Sequence, residues 1–95
     1  MTVKRKIERI ASLVMEISPP DVKYKGEEKP VVFFSYSGHC PCLSVQVFEN
    51  GWKYDTSGSY SKAFDVYSLY DKNQAEEVNQ KLDTIIRYLE MLRRR

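Results

Sequence analysis

Histidine occurs once in this chain and cysteine twice, and all three fall in one stretch, His39-Cys40-Pro41-Cys42. That scarcity excludes a self-contained structural zinc site, which takes four ligands, usually as a C-x2-4-C pair with a second, distant pair. One short loop offers at most three, so a closed shell would need a carboxylate or the same loop from a second subunit. A redox dithiol is disfavoured as well, because the spacing is C-x-C in a strand connection rather than C-x-x-C at a helix start. The favoured reading is a tight Gly-Pro loop with reduced thiols. His39, Cys40 and Cys42 remain the only metal candidates, and no cofactor is expected.

Other machinery is missing too. There is no G-x-x-x-x-G-K-[ST] or G-x-G-x-x-G loop for nucleotide phosphates and no G-x-S-x-G nucleophile. His39 could in principle activate Cys40 or Cys42, but neighbours within one loop rarely reach that geometry. The carboxylates are scattered, so an enzyme is not expected. Charges interrupt every apolar stretch of the first 20 residues, so neither a membrane span nor a secretory signal is predicted. The first segment is basic and amphipathic like a transit peptide, yet it carries Glu8 and Glu16, and its stripe is better used as core. A cytoplasmic location without membrane contact follows by default. Nor is there a surplus of one charge, with 15 Lys and Arg against 13 Asp and Glu and a formal net charge of +2. The excess lies in the terminal segments, four bases against two acids in residues 1–18 and five against four in residues 73–95. A protein that binds chiefly by neutralising phosphates carries a stronger basic field.

Two apolar stripes are present. Val3, Ile7, Ile10, Val14 and Ile17 step by 4, 3, 4 and 3, which predicts a helix over 3–17. Ser18-Pro19-Pro20 ends it, since the residue before a proline is driven out of the helical region. Val78, Leu82, Ile85, Leu89 and Leu92 repeat the spacing, with Ala75 extending the stripe and Ile86, Tyr88 and Met91 widening it. That predicts a helix over 73–94, with Asp71 or Asn73 as N-cap and Gln74 or Glu76 completing a capping box. Glu76 and Glu77 suit the positive end of its dipole, and Arg93, Arg94 and Arg95 the negative end.

The middle of the chain reads as strands. Residues 19–30 form a connector, then VVFFSYS predicts a strand over 31–37 and alternating Leu43, Val45 and Val47 one over 43–49. Asn50-Gly51 fits a type I′ hairpin, with Trp52 to Thr56 returning as the strand over 52–56. That register sets Glu49 opposite Trp52, Val47 opposite Tyr54 and Val45 opposite Thr56. Residues 57–63 read as a surface loop, and FDVYSLY predicts a last strand over 64–70, or another local structure. The expectation is one α+β domain over 1–95, a three- to four-stranded antiparallel sheet with both helices on one face. A domain this small buries roughly 60 to 65% of its unfolded surface, so modest stability or self-association is expected.

Two groups of side chains are candidates for binding. Seven tyrosines and one tryptophan are many for 95 residues. Trp52, Tyr54, Tyr60, Tyr67 and Tyr70 are candidates for exposed contact residues, against ordinary strand preference as the alternative. Arg87, Arg93, Arg94 and Arg95, with Lys4, Arg5, Lys6 and Arg9, could form a cationic surface for nucleic acid or an acidic protein. Dipole compensation and solubility at the chain ends is the favoured explanation.

The helix–three-strand–helix order is similar to the double-stranded-RNA-binding domain. That family opens its second helix with a lysine-rich phosphate clamp. The corresponding turn here, Asp71-Lys72-Asn73-Gln74-Ala75-Glu76-Glu77, is acidic, so the family's functional residues do not carry over. The short amphipathic helix, the strand pair turning through Phe48-Glu49-Asn50-Gly51-Trp52 and the helix ending in Leu89-Glu90-Met91-Leu92 also resemble small uncharacterised phage- and prophage-encoded bacterial proteins. That resemblance implies an accessory role, binding a host or phage macromolecule.

The expected function is therefore a small non-catalytic module that binds another protein, as a homodimer or within a larger assembly. Its long helix and aromatic strand face would be the contact surfaces. The alternative is a nucleic-acid binder using the terminal arginines and exposed aromatics.

Overall fold

The computed structural model describes residues 2–18, 30–49 and 62–94. Within them the chain runs α1 (Val3–Ile17), β1 (Val31–Ser37), β2 (Cys42–Phe48), β3 (Lys62–Val66), a single 3-10 turn (Lys72–Gln74) and α2 (Ala75–Arg93). This is the α+β layout that the two periodicities predict.

α1 occupies 3–17 as expected, capped by Thr2, whose hydroxyl accepts the Arg5 amide at 3.2 Å. Its buried arc is rotated from the predicted stripe. Lys6, Ile10 and Leu13 are buried, whereas Val3, Ile7, Val14 and Ile17 only flank the core. The cause is that α1 packs against two neighbours, α2 and the sheet, so its inner face points between them. Where the helix ends, the Ser18 amide still reaches the Val14 carbonyl at 2.8 Å. The Ser18 hydroxyl accepts the Val32 amide at 2.9 Å, which ties the end of α1 to the start of β1.

The sheet has the order β1-β2-β3, antiparallel throughout. Val45 at its centre lies between Phe34 and Phe64, and Leu43 between Tyr36 and Val66. Side-chain alternation turns Val32, Leu43, Val45, Val47 and Val66 into the core. The expected hairpin partners Tyr54 and Thr56, the strand 52–56 and the Asn50-Gly51 turn lie outside the described residues. Across that edge of β2, Val47 faces Lys62 and Val45 faces Phe64 instead. β1 and β3 thus take both edges of β2, so the expected register of Val47 with Tyr54 and Val45 with Thr56 is not formed. The last strand is also shifted. Lys62 and Ala63, predicted as loop, belong to β3, which stops at Val66. Ser68 then takes a left-handed conformation (φ 55°), so 67–70 turns instead of continuing as strand.

Asp71 is the cap expected, but of the 3-10 turn, its carboxylate accepting the Asn73 amide at 2.9 Å. No side chain caps α2 itself at Gln74, so the predicted capping box is not formed. In α2 the seam Val78, Leu82, Ile85, Leu89 and Leu92 is buried together with Ile86. Ala75 and Met91, expected in or beside the stripe, are exposed. Tyr88 is partly buried against Phe64, and its hydroxyl donates to the Glu49 carboxylate.

The helices lie side by side. Lys6 pairs with Asp83 at 2.9 Å, Arg9 with Glu90 at 3.6 Å and Glu16 with Arg93 at 2.8 Å. The partners advance together along both chains, so α1 and α2 run in the same direction. No described helix is long and apolar enough to cross a membrane.

Candidate functional site

Among the described residues the exposed tyrosines converge on one end of the sheet. Here the β1–β2 loop, residues 38–41, meets the turn that follows β3. Leu69 anchors that turn, since its side chain is buried and its amide donates to the Pro41 carbonyl at 3.1 Å. The Asp71 amide closes onto the Ser68 carbonyl at 3.1 Å, and the Asp71 cap holds the exit. With Leu69 driven inward, the side chains flanking it point outward. Tyr67 is 66% exposed and Tyr70 54% exposed.

Tyr36 joins them from the last full turn of the β1 pleat. Its position in the strand alternation is a core position, opposite Leu43 near the end of β1, yet it is 43% exposed. The Tyr36 and Tyr70 hydroxyls lie 3.1 Å apart. This hydrogen bond, followed by burial and by repulsion from a charged Tyr36, holds the Tyr70 phenol above its ordinary pKa. Beside them Cys40, Pro41, Cys42, Tyr67 and Ser68 line a shallow groove of about 310 Å³.

Of the residues expected to bind, Tyr67 and Tyr70 therefore belong to one surface. Tyr36 was missed because strand parity assigns it to the core, and its place at the sheet's end depends on the pairing register. Trp52, Tyr54, Tyr60 and Arg95 lie outside the described residues. The metal candidates reach the same end, with His39 and Cys40 exposed and Cys42 partly buried with its thiol unbridged. They do not converge: among the described residues no three His, Cys, Asp or Glu side chains could hold a metal ion.

The basic residues are elsewhere and differently employed. Tyr70 precedes α2, whereas Arg93 and Arg94 end it, and its 19 residues at about 1.5 Å each put about 28 Å between them. Lys6, Arg9 and Arg93 are struts between α1 and α2, and Arg5 pairs with Glu8 at 3.9 Å. The expected cationic surface thus shrinks, among the described helical residues, to Lys4, Arg87 and Arg94, all exposed. The first turn of α2 presents Glu76 and Glu77 to solvent.

No family model matches this chain, and no curated protein or solved structure matches it.

Proposed function

We propose that this chain is a small accessory protein that acts by binding another protein and performs no chemistry itself. Its contact surface is the tyrosine-bearing end of the sheet. The observation carrying this reading is the convergence of exposed Tyr67 and Tyr70, on a turn pinned by Leu69, with exposed Tyr36 of β1. A tyrosine already held by its backbone and by a hydroxyl partner loses little entropy on docking and offers both an apolar ring and a polar tip. A cytoplasmic setting, self-association and a phage or prophage context belong to the same proposal. The nucleic-acid alternative has less support, because three of the cations it could use, Lys6, Arg9 and Arg93, are paired between the helices, and Arg93 and Arg94 stand at the far end of α2 from the tyrosines.

The test is capture from bacterial lysate, with and without nuclease treatment, on immobilised protein. The wild type and the Arg87→Gln/Arg94→Gln variant should retain the same protein at high salt, and the Tyr67→Ser/Tyr70→Ser variant should lose it. Retention by the tyrosine variant would contradict the proposal. Capture abolished by nuclease or by the arginine variant would favour the nucleic-acid alternative.

A further inference from the structure

The two edges of the sheet are not alike. The outer edge of β3 is five residues long and carries Lys62 and Asp65, charges of the kind that discourage strand addition. β1 has seven residues, VVFFSYS, and not one charge or proline. Its Val32 amide points away from β2, because it donates to the Ser18 hydroxyl. Period-two alternation directs the amides and carbonyls of Phe34 and Tyr36 the same way. Among the described residues nothing pairs with them. An uncharged edge of this length is a template for another strand.

The flank of α1 beside that edge is also unfinished. At about 3.6 residues per turn, Ile7, Ala11 and Val14 share the side of α1 opposite Arg9 and Glu16, which face α2. All three are only partly buried. Among the described residues, an unpaired ladder and a half-covered apolar strip thus run together along one border.

We propose that a second copy of this chain occupies this border, with β1 pairing antiparallel to β1 of the second copy about a two-fold axis at Ser35. This deepens the self-association in the proposed function by naming its surface and register. Ser18 blocks the ladder at Val32, so the groups left for hydrogen bonding are those of Phe34 and Tyr36. An axis at Ser35 sets Phe34 opposite Tyr36 of the second copy and the reverse, so each exchanges both its amide and carbonyl bonds. The axis stands perpendicular to the sheet, so both helix layers stay on one face and the two Ile7–Ala11–Val14 flanks meet. A strand without charges meets itself without like-charge repulsion. The same property selects a second copy over an acidic or basic peptide, which would find no complementary charge there.

The register is directly testable. Ser35 faces Ser35 of the second copy in a non-hydrogen-bonded pair, where Cα atoms lie about 4.5 Å apart, within disulfide reach. In a Cys40→Ser/Cys42→Ser background, Ser35→Cys should form a covalent dimer on mild oxidation. Ser44→Cys, on the central strand, should not. Light scattering should find the wild type dimeric, and Ser35→Lys, which sets two ammonium groups face to face, should weaken the dimer on the order of tenfold or more. Circular dichroism checks that Ser35→Lys is folded. A monomeric wild type, a dimer unchanged in Ser35→Lys, an edge that binds only a foreign extended peptide, or a Ser35→Cys protein that does not cross-link would each overturn the proposal. Lysate capture is read on Tyr67 and Tyr70, which lie outside the β1 ladder, so the dimer can fail while capture persists, and loss of capture in the Tyr67→Ser/Tyr70→Ser variant leaves the dimer standing.

Discussion

Single side chains decide where this molecule turns outward. Ser68 holds a left-handed backbone at φ 55°, a conformation that costs an L-residue about 1 kcal/mol and a glycine almost nothing. Ser68→Gly should therefore raise stability by about 0.5–1 kcal/mol in urea unfolding, with the tyrosine surface unchanged. A loss of stability would mean that the Ser68 side chain contributes more than the backbone strain costs. Tyr70 is the second case. Its phenol is held above its ordinary pKa chiefly by the Tyr36 hydroxyl, so the fold favours the protonated form. That contribution is complete below the ordinary tyrosine pKa and disappears as pH rises through the higher folded value. Tyr36→Phe should bring the Tyr70 titration back toward its ordinary position in NMR of ring-labelled tyrosine. An unmoved titration would show that the hydroxyl pair is not formed in solution.

Helices and strands were legible in unequal measure. α1 and β1 have the boundaries that the sequence predicts, because proline follows one and a run of valine, phenylalanine and tyrosine broken only by serine makes the other. The seam of α2 was legible for the same reason, spacing alone. What spacing does not encode is which neighbour a helix faces. Lys6 looks like a surface residue, yet it is buried because α2 lies on that side of α1 and brings Asp83 to it. The pairing of Val45 and Val47 with Phe64 and Lys62 was likewise hidden, since Asn50-Gly51 offers a local turn signal and strand order is a long-range choice. The Lys6–Asp83 pair gives a measurable consequence. Asp83→Ala leaves a buried ammonium without its partner and should cost about 1–2 kcal/mol, discounted because Asp83 is half exposed. Lys6→Met keeps the packing without the charge and should stay within about 1 kcal/mol of the wild type. Equal losses in both variants would mean that the Lys6 ammonium is fully solvated.

At the scale of the whole molecule, the described ion pairs between the helices and the described exposed tyrosines occupy different places. Three ion pairs bind α1 to α2 along their length, while Tyr36, Tyr67 and Tyr70 gather beside the β1–β2 loop. The sequence presents both sets as candidate ligand contacts, because it lists residues without saying which ones face each other. Only the parallel course of the helices shows that Lys6, Arg9 and Arg93 serve as struts. The candidate site was thus half legible: Tyr67 and Tyr70 could be singled out, but not their company with Tyr36 nor their distance of about 28 Å from Arg93.

The decisive measurement is tyrosine labelling by nitration, read by mass spectrometry, on the isolated protein and on its complex with the captured partner. Tyr36, Tyr67 and Tyr70 should be labelled in the free protein and protected in the complex, with Tyr88 labelled least in both. Equal labelling of Tyr67 and Tyr70 in the free and bound states would contradict the assignment of the contact surface to this end of the sheet.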